Sequence, residues 1–183
     1  MSKNVLVVTG SPRKGGNTDL LADAFIEGLM EAGHMVNRFD AGRKKIGGCT
    51  ACQACFRKGV ACSFKDDFNE GAPFVEQADV IVFASPLYFY SFTAQIKAFI
   101  DKFYSFYVGE RPLKIKESML LACGETTELS DFEGMRQTYK SMIAFLGWQD
   151  KGQLIATDIN LKGEIVQKGQ HYLQKAKELG RSV

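Results

Sequence analysis

Val5-Leu6-Val7-Val8-Thr9-Gly10-Ser11-Pro12-Arg13-Lys14-Gly15-Gly16-Asn17-Thr18 is the stretch that decides the fold. An aliphatic run with no polar break reads as a strand covered on both faces, the habit of parallel sheets. It ends in a loop of glycine, hydroxyl and amide residues. That loop opens into an apolar helical stripe at Leu20, Leu21, Ala24, Phe25 and Leu29. Gly33 predicts the end of the helix. Strand, loop and helix in this order form the first unit of a βαβ array.

The pattern repeats down the chain. Val80–Ala84, Met119–Cys123 and Leu154–Thr157 are similar apolar runs, and His34–Phe39 alternates enough for an edge strand. Helical stripes follow at Ile96, Phe99, Ile100, Phe103 and Phe106, and again at Met135, Tyr139, Met142, Ile143 and Leu146. The last is Ile165, Tyr172, Leu173, Ala176 and Leu179, with Gly180 expected to stop it. Strands alternating with helices predict an α/β fold. The expected form is a three-layer α/β/α sandwich on a five-stranded parallel sheet of order 2-1-3-4-5. A chain of 183 residues suits one domain, residues 1–183, with one long irregular insertion at about 43–65.

A net charge of +2 gives no electrostatic case for a nucleic-acid or membrane partner. The first apolar run is too short for a signal peptide, and no stretch is long enough to span a bilayer. The expectation is a cytoplasmic protein, where reducing conditions make disulfides the less expected use of its five cysteines.

In an open parallel sheet, ligands bind beyond the carboxyl ends of the strands, where the strand order reverses. Three loops should therefore carry function. The first is Gly10–Thr18, where backbone N–H groups at a helix N-terminus favour a phosphate, Ser11, Asn17 and Thr18 can donate hydrogen bonds, and Arg13 adds charge. It lacks the Gly-Lys-Ser/Thr end of a Walker A loop, and no G-x-G-x-x-G is present. The second is Ser85-Pro86-Leu87-Tyr88-Phe89-Tyr90-Ser91-Phe92, suited to a flat aromatic ligand. Nine of the 21 aromatic residues fall between Tyr88 and Tyr107, more than one buried helical face can hold, so some should meet a ligand and some a second subunit. The third is Cys123-Gly124-Glu125-Thr126-Thr127-Glu128, whose Gly124 allows close backbone approach. Cys123 itself reads as a small buried hydrophobe, and His34 and His171 as surface or packing residues.

The insertion carries Cys49-Thr50-Ala51-Cys52-Gln53-Ala54-Cys55, then Cys62. Two consecutive two-residue gaps let thiolates converge, and the fourth can close the site from a short loop. An iron–sulfur cluster, a tetrahedral zinc ion, or a reactive or structural thiol group without metal all fit this spacing. Arg43, Lys44, Lys45, Arg57, Lys58 and Lys65 surround it, either as a solvated basic face or as charge that favours thiolates or a dinucleotide phosphate.

A phosphate loop and an aromatic platform on this fold point to flavin mononucleotide (FMN). Gly10–Thr18 resembles the phosphate-binding signature of the NAD(P)H-dependent FMN reductase-like flavoproteins. Ser85–Tyr90 with Gln95–Asp101 is similar to that family's second flavin loop and following helix. The cysteine run, with Asp66-Asp67 after it, resembles the iron–sulfur flavoprotein branch. The resemblance implies a flavodoxin-like fold, bound FMN, and homodimers or homotetramers. It implies that Ser11, Arg13, Asn17 and Thr18 hold the phosphate, that Pro86, Leu87, Tyr88 and Phe89 line the ribityl chain and ring, and that Gly124 and Glu125 close the other side. Cys49, Cys52, Cys55 and Cys62 match the ligands of a 4Fe–4S cluster in that branch. The expected activity is reduction of a small-molecule or protein electron acceptor with NADH or NADPH. The alternative is an iron–sulfur flavoprotein acting as electron carrier or redox sensor, against which the near-neutral charge argues mildly.

Overall fold

In the computed structural model, which describes residues 1–183, five parallel strands form one sheet. They are β1 (Asn4–Thr9), β2 (Met35–Phe39), β3 (Val80–Pro86), β4 (Glu117–Cys123) and β5 (Gln149–Ala156), in the order β2-β1-β3-β4-β5. Val5 pairs with Val36 on one side and Val80 on the other. The order is the predicted one, with its reversal between β1 and β3.

The helices are α1 (Asn17–Glu31), α2 (Ala54–Lys58), α3 (Phe68–Gln77), α4 (Ala94–Asp101), α5 (Tyr104–Tyr107), α6 (Glu133–Leu146), α7 (Ile165–Lys168) and α8 (Gln170–Arg181). Side chains alternate across each strand, so the sheet divides the core in two. Leu6, Val8, Ile81, Phe83 and Leu120 pack on one face with Phe68, Phe99, Phe103 and Tyr139 from α3, α4, α6 and the α4–α5 junction. Val5, Val7, Val82 and Leu121 pack on the other with Phe25, Leu29, Ile165 and Ala176 from α1, α7 and α8. This is the three-layer sandwich that unbroken apolar strands require.

Several elements differ from expectation. Helix α3 carries Gly71 and Pro73, both poor helix formers. Gly71 is needed there, because a Cβ would lie 2.9 Å from the rings of both Phe39 and Phe99. The stripe Ile96–Phe106 is two helices, and at the break Lys102 turns inward to pair with Asp66. The last stripe likewise divides, at Gly169. Gly33 ends α1 as predicted, in the left-handed region with φ 82°. Gly180 does not stop α8 but lies inside it. A Cβ on Gly180 would lie 2.2 Å from Phe25 O, and one on Gly28 would lie 2.0 Å from Lys177 O. Two glycines thus let the backbones of α1 and α8 touch.

The cysteine insertion leaves the sheet after β2 through a closed neck. Lys45 N–H donates to Asp67 Oδ2 at 2.7 Å, Asp67 N–H returns to Lys45 O at 3.1 Å, and Gly47 N–H donates to Asp66 Oδ2 at 3.0 Å.

Candidate functional site

At the carboxyl ends of β1, β3 and β4 lies a cavity of about 400 Å³. Ser11, Arg13, Asn17 and Thr18 line it from the first loop, Pro86, Leu87, Tyr88 and Phe89 from the second, and Gly124 and Glu125 from the third. All ten residues expected from sequence therefore meet on one space. Gly16, Cys123, Ile159, Asn160 and Lys162 also line it. The last three belong to the loop after β5, which sequence reasoning passed over. The signal for it was positional, since that loop leaves the same sheet edge as the other three.

The first loop has the form of an anion cradle. The N–H groups of Asn17, Thr18 and Asp19, in the first turn of α1, meet no acceptor within the protein. Free donors at the positive end of a helix dipole suit a phosphate. Gly15 turns the loop with φ 66°, and a Cβ on Gly16 would lie 2.9 Å from Arg13 O. Asp19, almost fully buried, accepts from Gly15 N–H at 2.9 Å and from Arg38 and Arg43 at 2.8 and 2.9 Å. Arg38 and Arg43 also pair with Asp40, which accepts the Thr9 hydroxyl at 2.8 Å. Burial opposes ionisation of Asp40, but hydrogen bonds from Arg38 and Thr9 outweigh it and hold its carboxyl below the usual range. Arg38 also pairs with Asp23, so a network of two arginines and three aspartates sits behind the cradle.

The second loop is tied to the first by Thr93. Its hydroxyl donates to Gly10 O at 2.8 Å and caps α4. Tyr88 and Ser91 exchange backbone hydrogen bonds at 3.0 Å around Phe89 and Tyr90, whose φ angles are 43° and 63°. Positive φ at both central residues is the geometry of a type I′ turn, which glycine and asparagine usually fill. Two aromatic residues there cost local strain. The turn holds Phe89 at 99% exposure on the cavity rim, where a flat ligand could cover it. In the third loop Gly124 is required, since a Cβ would lie 2.9 Å from the Phe132 ring and 3.2 Å from Leu87. Burial pushes the Cys123 thiol up to about 12, so it stays protonated. His34 is a packing residue, its Nδ1 accepting Lys3 N–H at 3.1 Å.

The residues of the cavity fit FMN in kind. An N–H cradle with Arg13 beside it suits a dianionic phosphate, and the aromatic turn offers a face suited to a ring system.

The four clustered cysteines are free and line a second, much smaller hollow of about 20 Å³ with Lys102 and Tyr104. They are gathered as expected, and four thiols are a chemically apt donor set for iron or zinc. In this arrangement, however, no group of three or more His, Cys, Asp or Glu side chains is placed to hold a metal ion.

The profile of NADPH-dependent FMN reductases matches residues 3–150. The chain belongs to that family. The family is one of oxidoreductases that use FMN and a nicotinamide nucleotide. An iron–sulfur flavoprotein of Archaeoglobus fulgidus is 40% identical over 105 residues, 57% of this chain and 46% of the relative. The chain spans about half the length of the iron–sulfur flavoproteins it matches. A Bacillus subtilis protein, YwqN, is 24% identical over 184 residues, 97% of each chain. Its name assigns it provisionally to NAD(P)H-dependent FMN-containing oxidoreductases. An NAD(P)H:quinone oxidoreductase from Methanothermobacter marburgensis superposes with a TM-score of 0.79 at 21% identity, covering 100% of this chain and 96% of the other. That likeness bears on the fold alone. No helix is long and apolar enough to cross a membrane.

Proposed function

We propose that the chain is a single FMN-binding domain that reduces a small-molecule or protein electron acceptor with NADH or NADPH. The observation that carries this is the row of unpartnered N–H groups at the start of α1, where Asn17 and Thr18 line a cavity rimmed by Tyr88 and Phe89. Ser11, Arg13 and Thr18 hold the phosphate with those N–H groups. Pro86, Leu87, Tyr88 and Phe89 border the ribityl chain and ring, and Gly124 and Glu125 bound the opposite side. Bound FMN supplies hydride acceptance and onward electron transfer, one or two at a time. The protein fixes its position. Five unpaired thiols suit a cytoplasmic setting. Exposed Tyr104, Tyr107, Val108 and Phe145 suit a dimer or tetramer.

The test is to reconstitute the protein with FMN and add NADH or NADPH without oxygen. Bleaching of the flavin, followed by turnover with a quinone, is the expected result. A flavin that stays oxidised with both nucleotides refutes the reductase function.

The gathering of Cys49, Cys52, Cys55 and Cys62 on one hollow favours a second reading, in which they ligate an iron–sulfur cluster and the chain passes electrons to a redox protein. Iron and acid-labile sulfide after anaerobic purification decide it. Zinc, or neither element, in FMN-loaded protein excludes the cluster.

A further inference from the structure

The Asn17 side chain lines the cavity, yet its amide is engaged within the protein. Its carboxamide bridges to the loop after β5, where Nδ2 donates to Leu161 O at 2.8 Å and Oδ1 accepts Ile165 N–H at 3.2 Å. Both functions of the amide are used on this one loop. The loop is shaped independently. Glu164 accepts Asn160 and Leu161 N–H at 2.6 and 2.8 Å, and Asp158 and Gly163 bracket it in the left-handed region. Between the two points that Asn17 holds lies Lys162, which lines the same cavity as Arg13. The cavity otherwise presents one side-chain cation, Arg13, and one anion, Glu125, so a second cation would add to what the N–H cradle supplies.

We propose that Asn17 is a positioning residue that clasps the β5–α7 loop to the cradle, and that Lys162, held by the clasp, is a second cation for the phosphate. The proposal rests on the FMN function above. The clasp makes the phosphate site a composite of two segments about 145 residues apart in sequence, and it gives the loop after β5 a role in ligand retention.

The test compares FMN with riboflavin, which lacks the phosphate, on flavin-free protein by fluorescence titration. Asn17→Ala and Lys162→Met are each expected to weaken FMN roughly tenfold, the size of one charge-assisted hydrogen bond. Riboflavin affinity should be unchanged in both. The double variant should be no weaker than Asn17→Ala alone, because the clasp acts through Lys162. In hydrogen exchange on the flavin-free chain, Asn17→Ala should speed exchange across 159–165 and Lys162→Met should not. Additive losses in the double variant would make Asn17 a direct ligand and overturn the clasp. Equal losses for riboflavin would remove the phosphate role of Lys162. Unchanged exchange in Asn17→Ala would also overturn the clasp, whether or not flavin binds. Failure of the unaltered protein to bind FMN would sink the FMN function and the phosphate role of Lys162, with the exchange result still deciding the clasp.

Discussion

Asp19 gives the sharpest stability prediction. Its side chain is 4% exposed, accepts from two guanidinium groups and one backbone N–H, and lies in the first turn of α1. Asp19→Ala leaves Gly15 N–H without an acceptor and strips a counter-charge from Arg38 and Arg43. Losing one partner of a buried ion pair costs about 3–5 kcal/mol. Both arginines retain Asp40 and are about a quarter exposed, so the lower end applies, about 3 kcal/mol. Asp19→Asn keeps the shape and one acceptor oxygen and should cost about 2 kcal/mol. For a chain of this size each kcal/mol shifts Tm by roughly 2–4 °C, so thermal unfolding followed by circular dichroism should fall by about 6–12 °C for alanine and about 4–8 °C for asparagine. A loss under about 1 °C for Asp19→Ala would show that the network behind the cradle contributes nothing, and the account of how Gly15 is held would be wrong.

Three further outcomes are expected. Gly180→Ala should destabilise the fold by about 1–3 kcal/mol, seen as a lower denaturant midpoint, although alanine is the better helix former; a gain would mean that α1 and α8 can part without cost. Asp40 has a lowered carboxyl pKa, so its contribution is complete above its unfolded value near 3.9 and is lost as pH falls through the folded value. Tm should therefore fall more steeply below about pH 4 in wild type than in Asp40→Asn, and equal slopes would refute the shift. Cys123, its thiol raised by burial, should resist iodoacetamide at pH 8 in folded, metal-free protein while Cys49 and Cys52 react; equal labelling measured by mass spectrometry would contradict its burial.

Much of this was legible in the sequence because it is written in local patterns. Val5–Val8 and Val80–Ala84 are buried on both faces and admit no polar residue, so periodicity located β1 and β3 and, through the helices between strands, the sheet order. The three cavity loops follow because that order fixes which strand ends are neighbours. What escaped depends on tertiary approach. Gly180 read as a helix stop, and Gly71 carried no reading, because only the packed partner, Phe25 O or the Phe39 and Phe99 rings, explains why they lack a Cβ. Asp19 drew no attention in the sequence because Arg38 and Arg43 lie 19 and 24 residues away. Lys162 stands on a loop with no motif at all, brought to the site only by its place after β5.

The two-way hydrogen bonding of Lys45 with Asp67 makes the cysteine segment a cassette. Its ends are spliced at the base, and only a few of its residues, Phe56, Ala61 and Cys62 among them, reach back to the body of the fold. Doubling such a loop costs only about 0.6 kcal/mol in closure entropy. Thiol spacing can thus be lengthened, shortened or discarded by descent or by engineering while the anion cradle keeps its shape. Phosphate recognition and thiol chemistry are then separable parts of one scaffold, and changing the thiols need not disturb the cradle.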